Sequence, residues 1–503
     1  MKENLAKYSK LLLVILFINN LMMGCSTTTS GMKSDGYIPS FKIIGDVEEV
    51  LTVRSMEDFS LEEVEIDGEK KQVLKLEELL YKAKPVTESI EILLVGQDGL
   101  MAKIDGERIE TCYINLSAEN AWEFINPSHP ISSNIKKVKE VVVIAKEEDW
   151  DYGFNLITSE ENIMNITAGQ MYTMPRTVFP YFQGTSSIDT EGHTYETTIY
   201  TEEKIIKLKD LIDLTENDRL LAMGDLGQYK FVDGDSYLKM VDNRIDLLEK
   251  EGKDKITDAR GVIINPPQIS IMDTYYDASH FLAQDEKVLI LFLDGFGYHQ
   301  YLHAIEKGYA PFLKELALAE KATSVYQSVT NAGFAAMITG KSPYENGVYS
   351  RSQRDLKVPS IFAVAKDLNK KSVLIEGDIK ILNTEIEPLL NRDENNNGIT
   401  CDEVFETALE HIDTDYDLMF IHFHGIDDMG HSYGDFHETT MKMIKETDNY
   451  ARELVENWEG KVIITSDHGM HSTPEALRGG NHGSFRYQDM IVPYIVTEGR
   501  GRN

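Results

Sequence analysis

Seven residues in the C-terminal two-fifths of the chain have the types and order that two-metal phosphoryl transfer needs: Asp294, Thr330, Asp427, His431, Asp467, His468 and His482. A phosphate ester is anionic and repels nucleophiles. Two divalent cations roughly 3.5–4 Å apart can clamp its attacking and leaving oxygens and neutralise the charge that builds between them. Carboxylates mixed with imidazoles suit zinc, with manganese the second choice. Asp427 and His431 stand four residues apart, Asp467-His468 is a second couple, and Gly480-Asn481-His482-Gly483 offers an imidazole from a glycine-rich turn. A free hydroxyl is a feeble nucleophile, but one bound directly to a metal loses its proton near neutral pH. Thr330 is the candidate for that part.

These residues need a scaffold, and the flanking sequence supplies one. Asp294 ends the apolar run Val288-Leu289-Ile290-Leu291-Phe292-Leu293, and Asp467 follows Val462-Ile463-Ile464-Thr465-Ser466. Both runs read as buried strands, and in open α/β sheets ligands bind where the strands end. An isolated Asp-His pair or strand-terminal Asp is ordinarily an N-cap or turn residue; seven together in this order are not explained that way. His422 and His424, in Ile421-His422-Phe423-His424, are expected to occupy a strand rather than a metal shell.

Five segments carry a family resemblance: Leu293-Asp294-Gly295-Phe296-Gly297, Thr330 through Thr339-Gly340, Asp427 through His431, Ser466-Asp467-His468-Gly469-Met470 and Asn481-His482-Gly483. Over about residues 285–503 the chain resembles the alkaline phosphatase superfamily, on its type I phosphodiesterase and nucleotide pyrophosphatase branch. The resemblance implies that Asp427, His431 and His482 hold one metal, and that Asp294, Thr330, Asp467 and His468 hold the other. Thr330 would form a covalent phosphothreonine. Sulfatases of that superfamily carry Cys or Ser in a Pro/Arg-containing signature. Here the stretch reads Ser328-Val329-Thr330-Asn331-Ala332-Gly333, which argues against sulfate esters. The Pro-Asn-His run usual after the threonine in nucleotide pyrophosphatases is absent, and the segment from His468 to His482 lacks their long insertion, so an open site is expected. Asn331, beside the nucleophile, and Arg351 are the expected substrate contacts; an arginine can grip a phosphate bidentately. Arg351 and Arg354 could equally form a solvated basic face.

The start of the chain points to export. Lys2, Lys7 and Lys10 precede an apolar run from Leu11 to Met23, short for a membrane span but suited to a signal-peptide core. It ends in Leu21-Met22-Met23-Gly24-Cys25, which resembles a bacterial lipobox with Met22 where Leu is usual. Residues 1–24 are then a signal peptide, Cys25 carries lipid, and 25–40 tether the protein to the outer side of the cell membrane. An ordinary secretory signal or an uncleaved anchor is the alternative. Cys112 and Cys401 make no disulfide framework, so stability must come from packing. The 503 residues exceed one core, and 42% hydrophobic residues suffice for several. A formal charge of −34 disfavours nucleic acid and anionic lipid surfaces.

Between tether and enzyme the sequence echoes itself. Ile66-Asp67-Gly68, Leu74 to Leu80 and Ile104-Asp105-Gly106 are answered by Ile188-Asp189, Ile206 to Ile212 and Val232-Asp233-Gly234. Two small α+β modules are expected, at 41–150 and 151–275, each reading as strand, short helix, strand, turn, strand. The first faintly resembles the molybdopterin-binding domain of sulfite-oxidase-like enzymes; Cys112 sits in an expected strand and not in a metal-ligating context, so loss of that cofactor, or coincidental patterning, is implied. Farther on, Asp393, Asn395 and Asn397 alternate before Gly398, with Asp402 and Glu403 placed to complete a shortened EF-hand-like calcium shell as a helix starts at Glu403. The plain alternative is an Asn-rich turn with an N-cap at Asp402.

The fold expected is α/β: an alkaline-phosphatase-like mixed sheet flanked by helices over 285–503, preceded by the two modules. The function expected is hydrolysis of small-molecule or envelope phosphate esters, diesters first, through Thr330 and two metals. A phosphomonoesterase, phosphonate hydrolase or phosphotransferase would use the same seven residues. A non-catalytic envelope-binding lipoprotein is the reading from another class.

Overall fold

The computed structural model describes residues 39–66, 68–117, 119–190, 192–249, 255–473 and 478–501. The signal peptide, Cys25 and nearly all of the tether lie outside the described residues. Among the described residues no helix is long and apolar enough to cross a membrane.

The C-terminal part is a mixed eight-stranded sheet between helices. Its centre is the parallel trio Leu418–Phe423, Val288–Leu293 and Lys461–Thr465. Ile491–Glu498 joins antiparallel to Lys461–Thr465, and Ser372–Glu376 extends the other side in parallel. The unbroken apolar runs are what two covered faces require. Val288, Ile290 and Phe292 pack under one helix layer, and Leu289, Leu291 and Leu293 under the other, the period of two that a strand imposes. Helix Thr330–Thr339 is buried along nearly its whole length, a cylinder with three alanines and one glycine in ten residues pressed to the sheet.

The two preceding segments share one topology. The first builds a sheet in the spatial order Leu51–Val53, Phe41–Gly45, Val138–Ala145, Ile90–Gly96, Met101–Asp105. The second repeats it as Asn162–Ile166, Phe154–Ile157, Ala259–Ile264, Leu220–Gly224, Tyr229–Val232, with the same senses of pairing. Each adds a second antiparallel sheet, of four strands in the first module and five in the second, and the segments that echo each other in sequence occupy equivalent places. The boundary to the catalytic part differs from the expected one. Strand Ile269–Ser270 pairs in parallel with Glu320–Thr323 of the eight-stranded sheet, so the second module ends with Ile264. Cys112 also differs: it lies just before strand Tyr113–Ser117, fully buried, with burial pushing its thiol up to about 12.

Packing is sequential. The second face of the first module, with Ile44, Leu93, Val142 and Ile144, meets Tyr172 and Met240 of the second. The second module in turn sends Ile157, Leu221, Met223 and Ile263 into the core that covers the catalytic sheet. Its sheet is therefore apolar on both faces, and it shares a hydrophobic core with the C-terminal part.

Candidate active site

Strand order explains how distant residues meet. Val288–Leu293 and Lys461–Thr465 are in-register parallel neighbours, with Phe292 opposite Thr465, so Asp294 and Asp467 leave the same sheet edge side by side. Asp294, Asp467 and His468 are fully buried there. Thr330 opens its helix against this edge. Gly333, in the first turn, has no room for a side chain: a Cβ would stand 2.6 Å from Asp467 Cβ. Asp427 and His431 project one turn apart from helix Gly425–Tyr433, and His482 enters from the turn after the short strand Gly480–Asn481.

All seven residues converge. His468 Nε2 lies 3.2 Å from Asp467 Oδ2, 3.5 Å from Asp294 Oδ1 and 3.5 Å from Thr330 Oγ1. Asp427 stands 3.4 Å from His431 Nε2 and 3.5 Å from His482 Nε2. Ligands on a tetrahedral zinc with bonds of about 2.0–2.1 Å are separated by roughly 3.3 Å.

The three imidazoles are held in one tautomer. His468 Nδ1 donates to Gly469 O at 2.9 Å, His482 Nδ1 to Ser328 O at 2.8 Å, and His431 Nδ1 to Gly480 O at 3.2 Å. With Nδ1 carrying the proton, each Nε2 presents a lone pair inward, the orientation that a carbonyl behind a metal-binding histidine enforces. On the acid side, Asp294 Oδ1, Asp427 Oδ1 and Asp467 Oδ2 are buried with no hydrogen-bond partner among the described residues. A carboxylate oxygen left in that state is costly unless a cation faces it. The donor set fits divalent metals, and two of its clusters, Asp427-His468-His482 and Asp294-Asp467-His468, each bring three ligand atoms within 4.8 Å of one another.

The electrostatics are those of acids crowded without counter-ions. Burial, then the charge of Asp294, pushes Asp467 up to about 8, and the same two causes raise Asp427. Burial, then the charge of Asp427, raises Asp428 to about 6. His482 is driven well below its ordinary value by burial, by His468 and by Arg351, so it is neutral and ready to ligate at neutral pH.

Two residues expected to lie away from the metal shell stand behind one of its candidate ligands. His422 is in the strand as expected, but His424 falls past the strand end, at the start of helix Gly425–Tyr433. His422 Nε2 donates to Asp294 Oδ2 at 2.9 Å, and His424 Nδ1 stands 3.0 Å from the same oxygen. Against the opposing effect of burial, these bonds hold Asp294 well below the carboxylate range and raise His424 to about 9. Behind them, Glu376 Oε1 lies 3.5 Å from His422 Nδ1. The register explains the placement: Phe292 is opposite His422, so a histidine two residues on falls beside Asp294.

Beside Thr330 opens a cleft of about 480 Å³, lined on the near side by Thr330, Asn331, Arg351, His424, Asp427 and Asp428. Arg351 Nη2 donates to His482 Nε2 at 2.7 Å, which places the guanidinium over the open half of the site. Asn331 does not extend its amide nitrogen to the cleft; Nδ2 donates to Gln353 O at 3.1 Å and Ile381 O at 3.4 Å. Its side chain ties two cleft walls together, and Asn331 itself lines the cleft beside Thr330.

The far wall includes Asp393, Gly398, Ile399 and Thr400 of the calcium-like loop. Asp393 accepts the N–H of Asn397 and of Gly398, while the amides of Asn395 and Asn397 both donate to Asp402 Oδ2, at 2.6 and 2.9 Å. Asp402 Oδ1 and Glu403 Oε2 are buried without hydrogen-bond partners among the described residues. The helix begins at Cys401 with Thr400 as N-cap, two residues before the expected start. Asp402 and Glu403 thus lie in its first turn, where negative side chains favour the helix dipole.

Residues 288–380 and 383–485 match the sequence model of a family described as type I phosphodiesterase / nucleotide pyrophosphatase. Over these residues the chain is similar to that family. Among solved structures, murine ectonucleotide pyrophosphatase / phosphodiesterase 5 in complex with AMP aligns at 18% identity and TM-score 0.32, covering 38% of this chain and 59% of that one. Phosphonoacetate hydrolase from Sinorhizobium meliloti 1021 aligns at 20% identity and TM-score 0.29, covering 37% and 56%. Human ectonucleotide pyrophosphatase / phosphodiesterase 5 aligns at 13% identity and TM-score 0.35, covering 43% and 90%. The chain thus spans less than two thirds of the first two proteins. No curated protein sequence matches the chain.

Proposed function

We propose that this protein is a metal-dependent phosphoester hydrolase, with diesters as first substrates and Thr330 as nucleophile. The reading rests on one arrangement: three buried carboxylate oxygens without hydrogen-bond partners and three inward-facing imidazole Nε2 atoms gather beside the cleft that Thr330 lines, with His468 Nε2 3.5 Å from the Thr330 hydroxyl. Asp427, His431 and His482 would hold one ion, and Asp294, Thr330, Asp467 and His468 the other. Two divalent ions, zinc first and manganese second, supply the charge that acidifies the hydroxyl and neutralises the phosphoryl oxygens.

The chain's own residues do the rest. His422 and His424 fix Asp294 through one oxygen, leaving Oδ1 for the ion. The first turn of helix Thr330–Thr339 offers N–H groups without intrahelical partners, and its positive end favours an anion. Thr330 Oγ1 attacks phosphorus, the alcohol leaves, and water then hydrolyses the phosphothreonine to free the monoester and Thr330. Arg351, once turned from His482, reaches the phosphoryl oxygens. Turnover of bis- and mono-nitrophenyl phosphate by chelated and zinc-restored protein tests this. Chelation should abolish both activities and zinc restore them. Arg351→Ala should reduce monoester turnover more, because a dianion needs the guanidinium more than a monoanion. Zinc-loaded protein inert toward every ester would favour the envelope-binding alternative.

The same proposal places the protein outside the cell membrane, lipidated at Cys25; the mass of the mature N-terminus decides it. It also assigns calcium to the loop of Asp393, Asn395, Asn397, Asp402 and Glu403, supported by the buried unpartnered oxygens of Asp402 and Glu403.

A further inference from the structure

Of the three imidazoles, His482 has the least support of its own. His431 rides on a helix and His468 on a strand end, but His482 lies in Gly479-Gly480-Asn481-His482-Gly483, where Gly483 has φ +101. Such a turn has few side chains to lock it and loses much backbone entropy on ordering.

What orders it lies two residues on. Ser484 is fixed at all three polar groups. Its N–H donates to Asp489 Oδ2 at 3.0 Å, and its carbonyl accepts from Ser328 Oγ at 3.1 Å. Its hydroxyl donates to Asp151 Oδ1, which also accepts from Arg486 Nη2 at 2.7 Å. Asp489 and Ser328 belong to the catalytic part, whereas Asp151 comes from the second N-terminal module. The same module grips the loop farther along. Asn162 accepts the Tyr487 N–H at 2.9 Å and donates to Gln488 Oε1 at 3.1 Å. Phe485 lies against Gly261, where a Cβ would stand 2.4 Å from the ring.

Stability is a poor explanation for Asp151. Its side chain is 50% exposed, and ion pairs so open to solvent contribute little to folding. Its placement is specific instead: it completes the anchoring of the residue that sets the direction of His482.

We propose that Asp151 is a positioning residue for His482, acting through Ser484 to hold the imidazole against Asp427. The second module is then a working part of the metal site and not a spacer. This rests on the metal-dependent reading above. The test uses full-length protein titrated with zinc against a chromophoric chelator. Wild type should bind two ions. Asp151→Ala should weaken one of them roughly tenfold, the low end for loss of a group behind a metal ligand, while the melting temperature of the metal-free protein stays near wild type. Asp151→Asn keeps an acceptor for the Ser484 hydroxyl and should recover most of the affinity. Asp151→Ala binding both ions like wild type would overturn the inference. So would a crystal structure of metal-free Asp151→Ala with the His482 ring still against Asp427, a result that stands whether or not zinc binds. Wild type that binds no zinc sinks the metal-dependent reading instead.

Discussion

The two halves of the candidate metal site are built on different principles. Asp294, Asp467 and His468 are fully buried at the ends of two in-register strands, and the sheet alone places them. Asp427 and His431 keep 14% and 17% of their side-chain exposure, and their third partner enters on a glycine-rich turn braced from another module. The buried half is rigid and electrostatically strained, with Asp467 pushed up to about 8. The open half is less strained but less determined. Rigidity and charge are thus supplied on one side, access on the other, and Thr330 sits between them.

The largest expected effect comes from removing the candidate nucleophile. Thr330→Ala should cut turnover by roughly a thousandfold or more, whereas Thr330→Ser keeps a hydroxyl and retains part of it. Full activity in Thr330→Ala would end the proposed mechanism. Next, Asp467→Asn and His482→Ala should each lose one of two zinc ions, read by metal analysis after gel filtration. If either variant kept both, the two-half description would be wrong.

A smaller effect separates the halves by pH. An acid whose pKa is raised in the folded state binds more protons there than in the unfolded chain, between its ordinary value and the raised one. For Asp467 that window runs from 3.8 to about 8, so the metal-free protein should lose stability as pH rises through it. Bound zinc displaces the proton, so the loaded protein should lack this loss, and zinc should bind more weakly as pH falls below about 8. Melting curves of both forms across that range check the sign. Last, calcium should raise the melting temperature by roughly 2–4 °C through mass action. Asp393→Ala should lose this response while keeping both zinc ions; an equal response in variant and wild type would return the segment to a plain turn.

Much of this was legible in the residues. The apolar runs before Asp294 and Asp467 gave the strands and their ends, because a strand covered on both faces must be apolar throughout. The metal set could be read because its chemistry restricts residue types. His424 and Glu376 were not legible as site residues, since their role depends on which strand lies beside Val288–Leu293, and periodicity carries no pairing information. The partners of Asn331 were hidden for a related reason: its neighbour in sequence is the candidate nucleophile, but its amide faces carbonyls 22 and 50 residues away.

The sequence by itself determined the elements, the seven candidate ligands, the echo between the modules and the chemistry to expect, because local pattern and side-chain type suffice for these. Only the tertiary structure decided the rest. It chose the tautomers of three histidines, by placing carbonyls behind them. It put the calcium-like loop on the cleft wall. It also brought Asp151 to Ser484 across 333 residues of chain. Contacts between distant segments depend on how whole layers pack, and packing is settled by the collective fit of cores such as that formed by Ile157, Leu221, Met223 and Ile263 with the catalytic sheet.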